Sequence, residues 1–323
     1  MVNFELVLNQ LKNLMIKINF TALILFFVST LSAQINSKDS TVQVIGYWDL
    51  HEKQTYKISE ESYQVLNAKD TVKRELYTYI ADIVVTDSTA NSYTVEWRAH
   101  DYKILKSTNR FMEKLLAISD STPVIIKTNE MGVFQEVVNW EALRDVIKKG
   151  TDMLRKDFKD TIPNFDKLMD QVSGMYTSKE AIQNSCIEEI QQFFTFHGAK
   201  YKIGDEISVP VKLPNNYGGE PIDGNLTAWL DEINLDDGNC VLRYTQTADA
   251  KQLTDAAYVQ LNKMMVTMQL PVMKREDFPV AMNEIRTATR IHGSSGWIIY
   301  SIQTKETFAN NVMQVKERII DIQ

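Results

Sequence analysis

Residues 82–98 read DIVVTDSTANSYTVEWR: two alternating apolar runs around a short loop of small polar residues. Strict alternation puts successive side chains on opposite faces, so the segment predicts an antiparallel hairpin with one buried face. The strands extend to about 71–86 and 92–105. Tyr77, Tyr79, Ala81, Ile83 and Val85 share one face of the first, and Tyr93, Val95 and Trp97 one face of the second. The same signal continues in both directions. Residues 41–50 (TVQVIGYWDL) and 54–59 read as strands. Residues 122–128 and 133–138 read as a pair turning through Asn129–Gly132, where Gly132 suits a positive φ.

The period changes in the middle of the chain. Asn139 stands where a helix cap belongs, and Trp140, Leu143, Ile147, Leu154 and Phe158 recur at helical spacing until Pro163. Thr177-Ser-Lys-Glu180 has the form of a capping box, followed by Ile182, Cys186, Ile190 and Phe193 up to Gly198. Strand character returns at 206–213. A second strong hairpin spans 225–247, with Trp229, Ile233 and Leu235 on one face and Cys240, Leu242 and Tyr244 returning. A helix at about 251–268 and strands near 284–292, 297–304 and 308–320 complete the pattern.

The expected fold class is α+β, mainly antiparallel, with a central helical insert. Two layouts fit: one continuous sheet, or two pseudo-repeated β-rich halves. The second rests on an echo between the two strong hairpins, each followed by a pair whose four-residue turn ends in glycine (Gly132 and Gly296). The expected divisions are 1–33, 34–138 (N-terminal β-rich half), 139–200 (helical insert) and 201–323 (C-terminal β-rich half with one helix).

The first division is read as a secretory signal peptide. From Met15, the expected true start, one lysine (Lys17) precedes an apolar run from Phe20 to Leu31 and then Ser32-Ala33-Gln34. The run falls short of the ~20 apolar residues a comfortable span requires, so no transmembrane anchor is expected after cleavage. Removing Lys12, Lys17 and Glu5 from 35 basic and 42 acidic residues leaves 33 and 41, a net charge of −8. An acidic chain without a Lys/Arg block has no electrostatic footprint for nucleic acid. Cys186 and Cys240 either pair in an oxidising compartment, closing a loop of about 54 residues worth roughly 3–4 kcal/mol, or pack as two apolar thiols.

Catalytic and metal motifs are sparse. DEINLDDGN (231–239) would place Ile233 at the first ligand position of an EF-hand, so it reads as a hairpin turn. His51, His100, His197 and His292 are scattered. His197, beside Gly198, suits a helix C-terminus, and in strands the pairs His51-Glu52 and His100-Asp101 point to opposite faces. No nucleophile elbow, Walker loop or dinucleotide fingerprint is present, and no cofactor or metal is expected. What remains is apolar surface: Trp48, Trp97, Trp140, Trp229 and Trp297, and Met264, Met265, Met268, Met273 and Met282 around the last helix. Residue by residue, a packed core explains these. A cleft between sheet and helices is the place where some would line a ligand site, and Trp97, Trp229, Tyr244, Met265 and Trp297 are the candidates.

The signal ending LSAQ (31–34), hairpins on both sides of a helical insert, and the terminal series GSSGWIIYSIQTKETFANNVMQVKERIID (293–321) resemble uncharacterised secreted or periplasmic proteins of Gram-negative bacteria. The order of elements also resembles half-barrel lipoprotein-carrier folds of the periplasm. That resemblance implies an apolar cavity between a curved sheet and helices that binds acyl chains. The expected function is therefore extracytoplasmic, non-catalytic binding of a hydrophobic ligand, lipid or lipoprotein. The alternatives are a structural or protein-interaction component of the cell envelope and, behind it, an unrecognised hydrolase.

Overall fold

The structure, a computed structural model, describes residues 34–67, 69–107, 122–158, 164–215, 217–309 and 312–323. The predicted signal segment and Pro163 lie outside the described residues. The chain is α+β and mainly antiparallel. In order it forms β1 (Ile35–Asn36), β2 (Thr41–Gln43), β3 (Lys53–Leu66), β4 (Asp70–Thr89), β5 (Ser92–Lys106), β6 (Val124–Asn129) and β7 (Phe134–Val137). Four helices follow: α1 (Trp140–Phe158), α2 (Phe165–Met175), α3 (Lys179–Ser185) and α4 (Glu188–Phe194). Then come β8 (Lys200–Lys202), β9 (Glu206–Leu213), β10 (Ile222–Asn234), β11 (Asn239–Ala248), α5 (Ala250–Thr267), β12 (Met282–His292), β13 (Ile298–Ala309) and β14 (Val312–Ile322).

Eleven strands make one open sheet in the order β7-β6-β5-β4-β3-β14-β13-β12-β11-β10-β9. It consists of two meanders that join where β14 pairs with β3. Strands β1, β2 and β8 form a small second sheet. The opening hairpin holds as read: Tyr79, Ala81, Ile83, Val85, Val95 and Trp97 are all buried on its inner face. Register shifts interrupt the β4–β5 ladder near Tyr77, Ile80 and Thr86. Such bulges bend and twist a strand pair.

The bend is visible in the packing. The Phe193 ring on α4 lies 5.3 Å from Tyr56 of β3, 5.5 Å from Trp97 of β5 and 6.2 Å from Trp297 at the entrance to β13, centroid to centroid. Strands β5 and β13 are four steps apart, about 19 Å in a flat sheet. One ring reaches both because the sheet curls around α4.

Residues 44–49 were expected to be strand, but the pairing stops at Gln43 and the chain continues as an extended strap. Its polar groups go to turns instead of a ladder. Gly46 N–H donates to Met131 O (2.9 Å), Tyr47 N–H to Ser295 O (3.0 Å) and Val44 N–H to Ala199 O (3.1 Å). Both predicted glycine turns therefore meet the strap; Gly132 (φ 83°) has the left-handed backbone expected of it, and Gly296 (φ 74°) shares that conformation. A Cβ on Gly296 would sit 2.2 Å from Ile45 O. Under the strap, Trp48 packs against Tyr93, Phe194, His197 and Trp297. His197 stands at the C-terminal end of α4, as expected, and is buried there. Its Nε2–H donates to Gly296 O at 3.0 Å, and burial lowers its pKa from 6.5 to about 4.

Other local readings need correction. The Asn139 side chain leaves its helix and staples β6, accepting from Ile125 N–H and donating to Pro123 O. Ser178, not Thr177, is the N-cap, accepting from Ala181 N–H. The helix read through Ile182 and Phe193 breaks in two at Cys186–Ile187. On β10 a bulge between Leu230 and Glu232 shifts the phase. Trp229 thus faces outward, Ile233 pairs with buried Cys240 on the inner side, and Leu235 is exposed in the turn. Left-handed Asp101 (φ 56°) breaks the strand alternation, bringing its carboxylate 3.1 Å from His100 Nδ1 where divergence was expected. Cys186 and Cys240 are free thiols, both pushed up to about 12 by burial.

An ion network pins the first turn of α4 to the sheet. Arg318 on β14 donates to Glu60 of β3 at 2.8 Å and to Glu188 at 3.2 Å, with both Arg318 and Glu60 almost fully buried. Lys316 joins both carboxylates, and the Tyr77 hydroxyl donates to Glu60 at 2.6 Å. Burial works against the charged form of Glu188, but Lys316, Lys305 and Arg318 outweigh it and hold the carboxyl down at about 2. Neighbouring Glu189 goes the other way: burial raises its pKa.

Replacing Phe193 by Ala leaves a hole where several strands meet and should cost about 3–5 kcal/mol in denaturant unfolding. Glu60→Gln leaves the buried Arg318 guanidinium with Glu188 alone and should cost about 3 kcal/mol, whereas Glu60→Leu combined with Arg318→Met should cost far less. Stability should also fall with acid in two windows. His197 is neutral when folded, so about 3 kcal/mol is lost as pH drops from 6.5 to about 4. Glu188 has a depressed folded pKa, so its share is present above 4.5 and lost towards 2; on the order of 2 kcal/mol allows for its partial exposure. Equilibrium unfolding of His197→Gln should lack the upper window and keep the lower one.

Candidate functional site

The curl is filled unevenly. Over β3–β6, helices α3 and α4 press Ile182, Ile187, Ile190 and Phe193 onto the sheet, and the interior is solid. Over β9–β13 the helical layer retreats. Between α3–α4, the inner face of these strands and α5 lies a cleft of about 540 Å³. That is within the ~300–1,000 Å³ typical of small-molecule sites.

Register determines what lines it. The inner positions of β13 are Ser301, Gln303, Lys305 and Thr307, paired in β12 with Thr289, Thr287, Ile285 and Asn283. Further across, Gln246 of β11 faces Leu226 of β10, and Ile222 faces Leu213 of β9. The wall therefore changes character across the sheet. The end near α4 and β13 carries Glu188, Gln191, Gln192, Gln303 and Lys305. The far end carries Leu213, Ile222, Leu226, Leu253 and Ala281, with Ile285 between and Gln246 and Asn283 as polar interruptions.

Helix α5 closes the apolar end. Asp249 caps it by accepting from Gln252 N–H, and the Gln252 side chain grips Asp223 through two hydrogen bonds. Leu253 then packs with Ile222 and Ala281 as a small separate core. Ala281 N–H donates to Thr254 Oγ1 at 3.0 Å, holding the approach to β12 against the helix.

At the polar end most groups are tied together. Gln303 Nε2 donates to the Tyr244 hydroxyl (2.9 Å) and to Thr287 Oγ1 (3.1 Å). Gln192, only 1% exposed, donates from Nε2 to Ser301 Oγ at 2.9 Å, and Ser301 shares a second hydrogen bond with Thr289. Gln192 Oε1 has no hydrogen-bond partner among the described residues. Lys305 and Glu188 face each other at 3.8 Å. Burial raises the Tyr244 pKa, so its phenol stays protonated.

Of the five residues proposed from sequence, Tyr244 lines this cleft. Trp97 and Trp297 lie in the packed half, 1% and 3% exposed. Trp297 also donates from Nε1 to Glu52 at 2.6 Å. Trp229 stands on the outer face opposite Arg243 and Glu206, and Met265 sits half-buried on α5 away from the cleft. Gln192, Gln303, Lys305 and Leu226 were missed. A polar run facing inward on β13, with Ile302 facing outward, inverts the usual pattern. Only the register from the Gly296 turn would have revealed it.

The arrangement offers enclosure and hydrogen bonding. Among the described residues no group of three or more His, Cys, Asp or Glu side chains is placed to hold a metal ion, and no helix is long and apolar enough to cross a membrane.

No family model and no curated protein matches the chain. Among solved structures it is similar to lipovitellin, in a structure of its lipid–protein interactions, with 11% identity and a TM-score of 0.39 over 86% of this chain. It spans a quarter of the length of that chain (25%). It is also similar to a Bacteroides fragilis protein of YmcC-like fold, with 8% identity and a TM-score of 0.23, covering 87% of this chain and 99% of that one. Likeness at this level identifies neither a fold family nor a function.

Proposed function

We propose that the protein is a non-catalytic binding protein for a hydrophobic ligand of lipid character, acting in the periplasm or after secretion. The observation that carries this reading is the cleft itself: an open space of about 540 Å³ with an apolar far end, on a sheet whose other half is packed solid. At the apolar end Leu213, Ile222 and Leu226 border open space, surface that a bound apolar chain would take out of water. On this reading the N-terminal half forms the scaffold, and the C-terminal half together with α3–α4 of the helical insert carries the site. The signal sequence read at residues 15–33 supports the location.

A second reading is favoured by one other feature. Val259 and Val266 on α5, with Val272 and Val280 beyond it, are each about 60% exposed. A surface of this kind suits a protein-interaction component of the cell envelope.

Solvent extraction and mass spectrometry of protein purified from its own compartment should yield co-purifying lipid. Leu226→Asp, which places a charge on the cleft wall, should reduce that yield at least tenfold without unfolding the protein. Clean extracts from wild type, with no uptake of lipid from added vesicles, would overturn the proposal. Val259→Ser with Val266→Ser should leave lipid content unchanged; loss of a stable complex instead would favour the second reading.

A further inference from the structure

Three features of the cleft narrow what it holds, given the binding function proposed above. The first is capacity. A methylene is about the size of a water molecule, so an open cleft of about 540 Å³ has room on the scale of one acyl chain along its apolar end. The second is charge. Among the described residues lining the cleft, Lys305 is the one cation and Glu188 the one carboxylate, and they face each other at 3.8 Å. Behind them Lys316 and Arg318 are also engaged by Glu188 and Glu60. The lining itself carries no net charge, each of these cations already has a carboxylate partner, and Glu188 faces any acidic head at that end.

The third is Gln192. Its amide is almost fully buried at the polar end, bonds Ser301 through one terminal atom and leaves the other without a partner. The oxygen and nitrogen of an amide are interchangeable in such an assignment, so either a donor or an acceptor is left over. A buried polar atom without a partner costs on the order of 1–3 kcal/mol, and a ligand that supplies the missing bond recovers part of it. A hydroxyl serves in both cases, since it donates and accepts.

We infer that the cleft takes a neutral single-chain amphiphile. Its acyl chain lies across Ile285, Leu226 and Ile222 towards Leu253, and a hydroxyl- or amide-bearing head meets Gln192 beside Gln303. The head is read by hydrogen bonding and the tail by enclosure, so the site discriminates by chain number and head charge and not by overall hydrophobicity.

The test is competition for the cleft by lipids presented at equal mole fraction in phosphatidylcholine vesicles, with displacement of a fluorescent acyl probe as readout. The panel is 1-monopalmitoylglycerol, palmitate and 1,2-dipalmitoylglycerol. Monopalmitoylglycerol should bind at least tenfold more tightly than either of the others. Gln192→Met, which keeps the shape and removes the amide, should weaken monopalmitoylglycerol about tenfold and leave palmitate within about twofold. Equal binding of all three, or preference for the two-chain lipid or the anion, would overturn this inference while leaving hydrophobic binding intact. Failure of every lipid to displace the probe, with clean extracts, would overturn the binding function itself. Should Gln192→Met not fold, the wild-type panel alone decides the matter.

Discussion

One aromatic ring holds the two meanders in a common curve. Phe193 meets strands that a flat sheet would keep far apart, and it can do so because α4 enters the concave side. Everything else follows from that insertion. The bulges in β4–β5 allow the bend, and the ion network fixes the first turn of α4 over β3 and β14. The aromatic pile of Trp48, Phe194, His197 and Trp297 then seals one end. Burying large rings supplies the driving force, and the charges set the position of the helix that carries them.

The same insertion explains why the molecule is solid on one side and hollow on the other. A seven-residue helix is about 10 Å long, enough to cover a few strands but not eleven. At β13 and β12 the inner positions turn polar, and the next helix, α5, docks only at the far edge through Leu253 and Thr254. The uncovered interval is the cleft. Its polar end is the seam where the α4 network stops, and its apolar end begins where α5 lands. Scaffold and site are thus two stretches of one sheet, distinguished by which helix reaches them.

Where the sequence was legible, a local rule was strong enough to stand alone. Alternation placed Tyr79, Ile83, Val95 and Trp97 on one buried face, and the glycine turns at 132 and 296 followed from backbone conformation alone. Where it misled, a non-local or single-residue event intervened. One bulge after Leu230 reversed the facing of Ile233 relative to Trp229. The strap at 44–49 has strand-like composition but meets turn carbonyls from both meanders, partners that periodicity cannot reveal. The cleft was the hardest part to read. Large aromatics drew attention to themselves, yet Trp97 and Trp297 went into the solid half, while the cleft is lined by glutamines and mid-sized aliphatics with no distinctive spacing.

The strap has a consequence for the order in which the chain assembles. Gln34 bonds Ile45 and Ser294, and Tyr47 donates to Ser295, so the first part of the described chain has binding sites about 250–260 residues downstream. During synthesis these residues emerge early and can meet Met131 and Ala199, but their bonds to Ser294 and Ser295 wait for the β12–β13 turn. Closing so long a loop is entropically slow relative to forming the hairpins it spans. The meanders can form by local pairing, while the strap is the clasp that fastens last, locking the curl once both turns are in place.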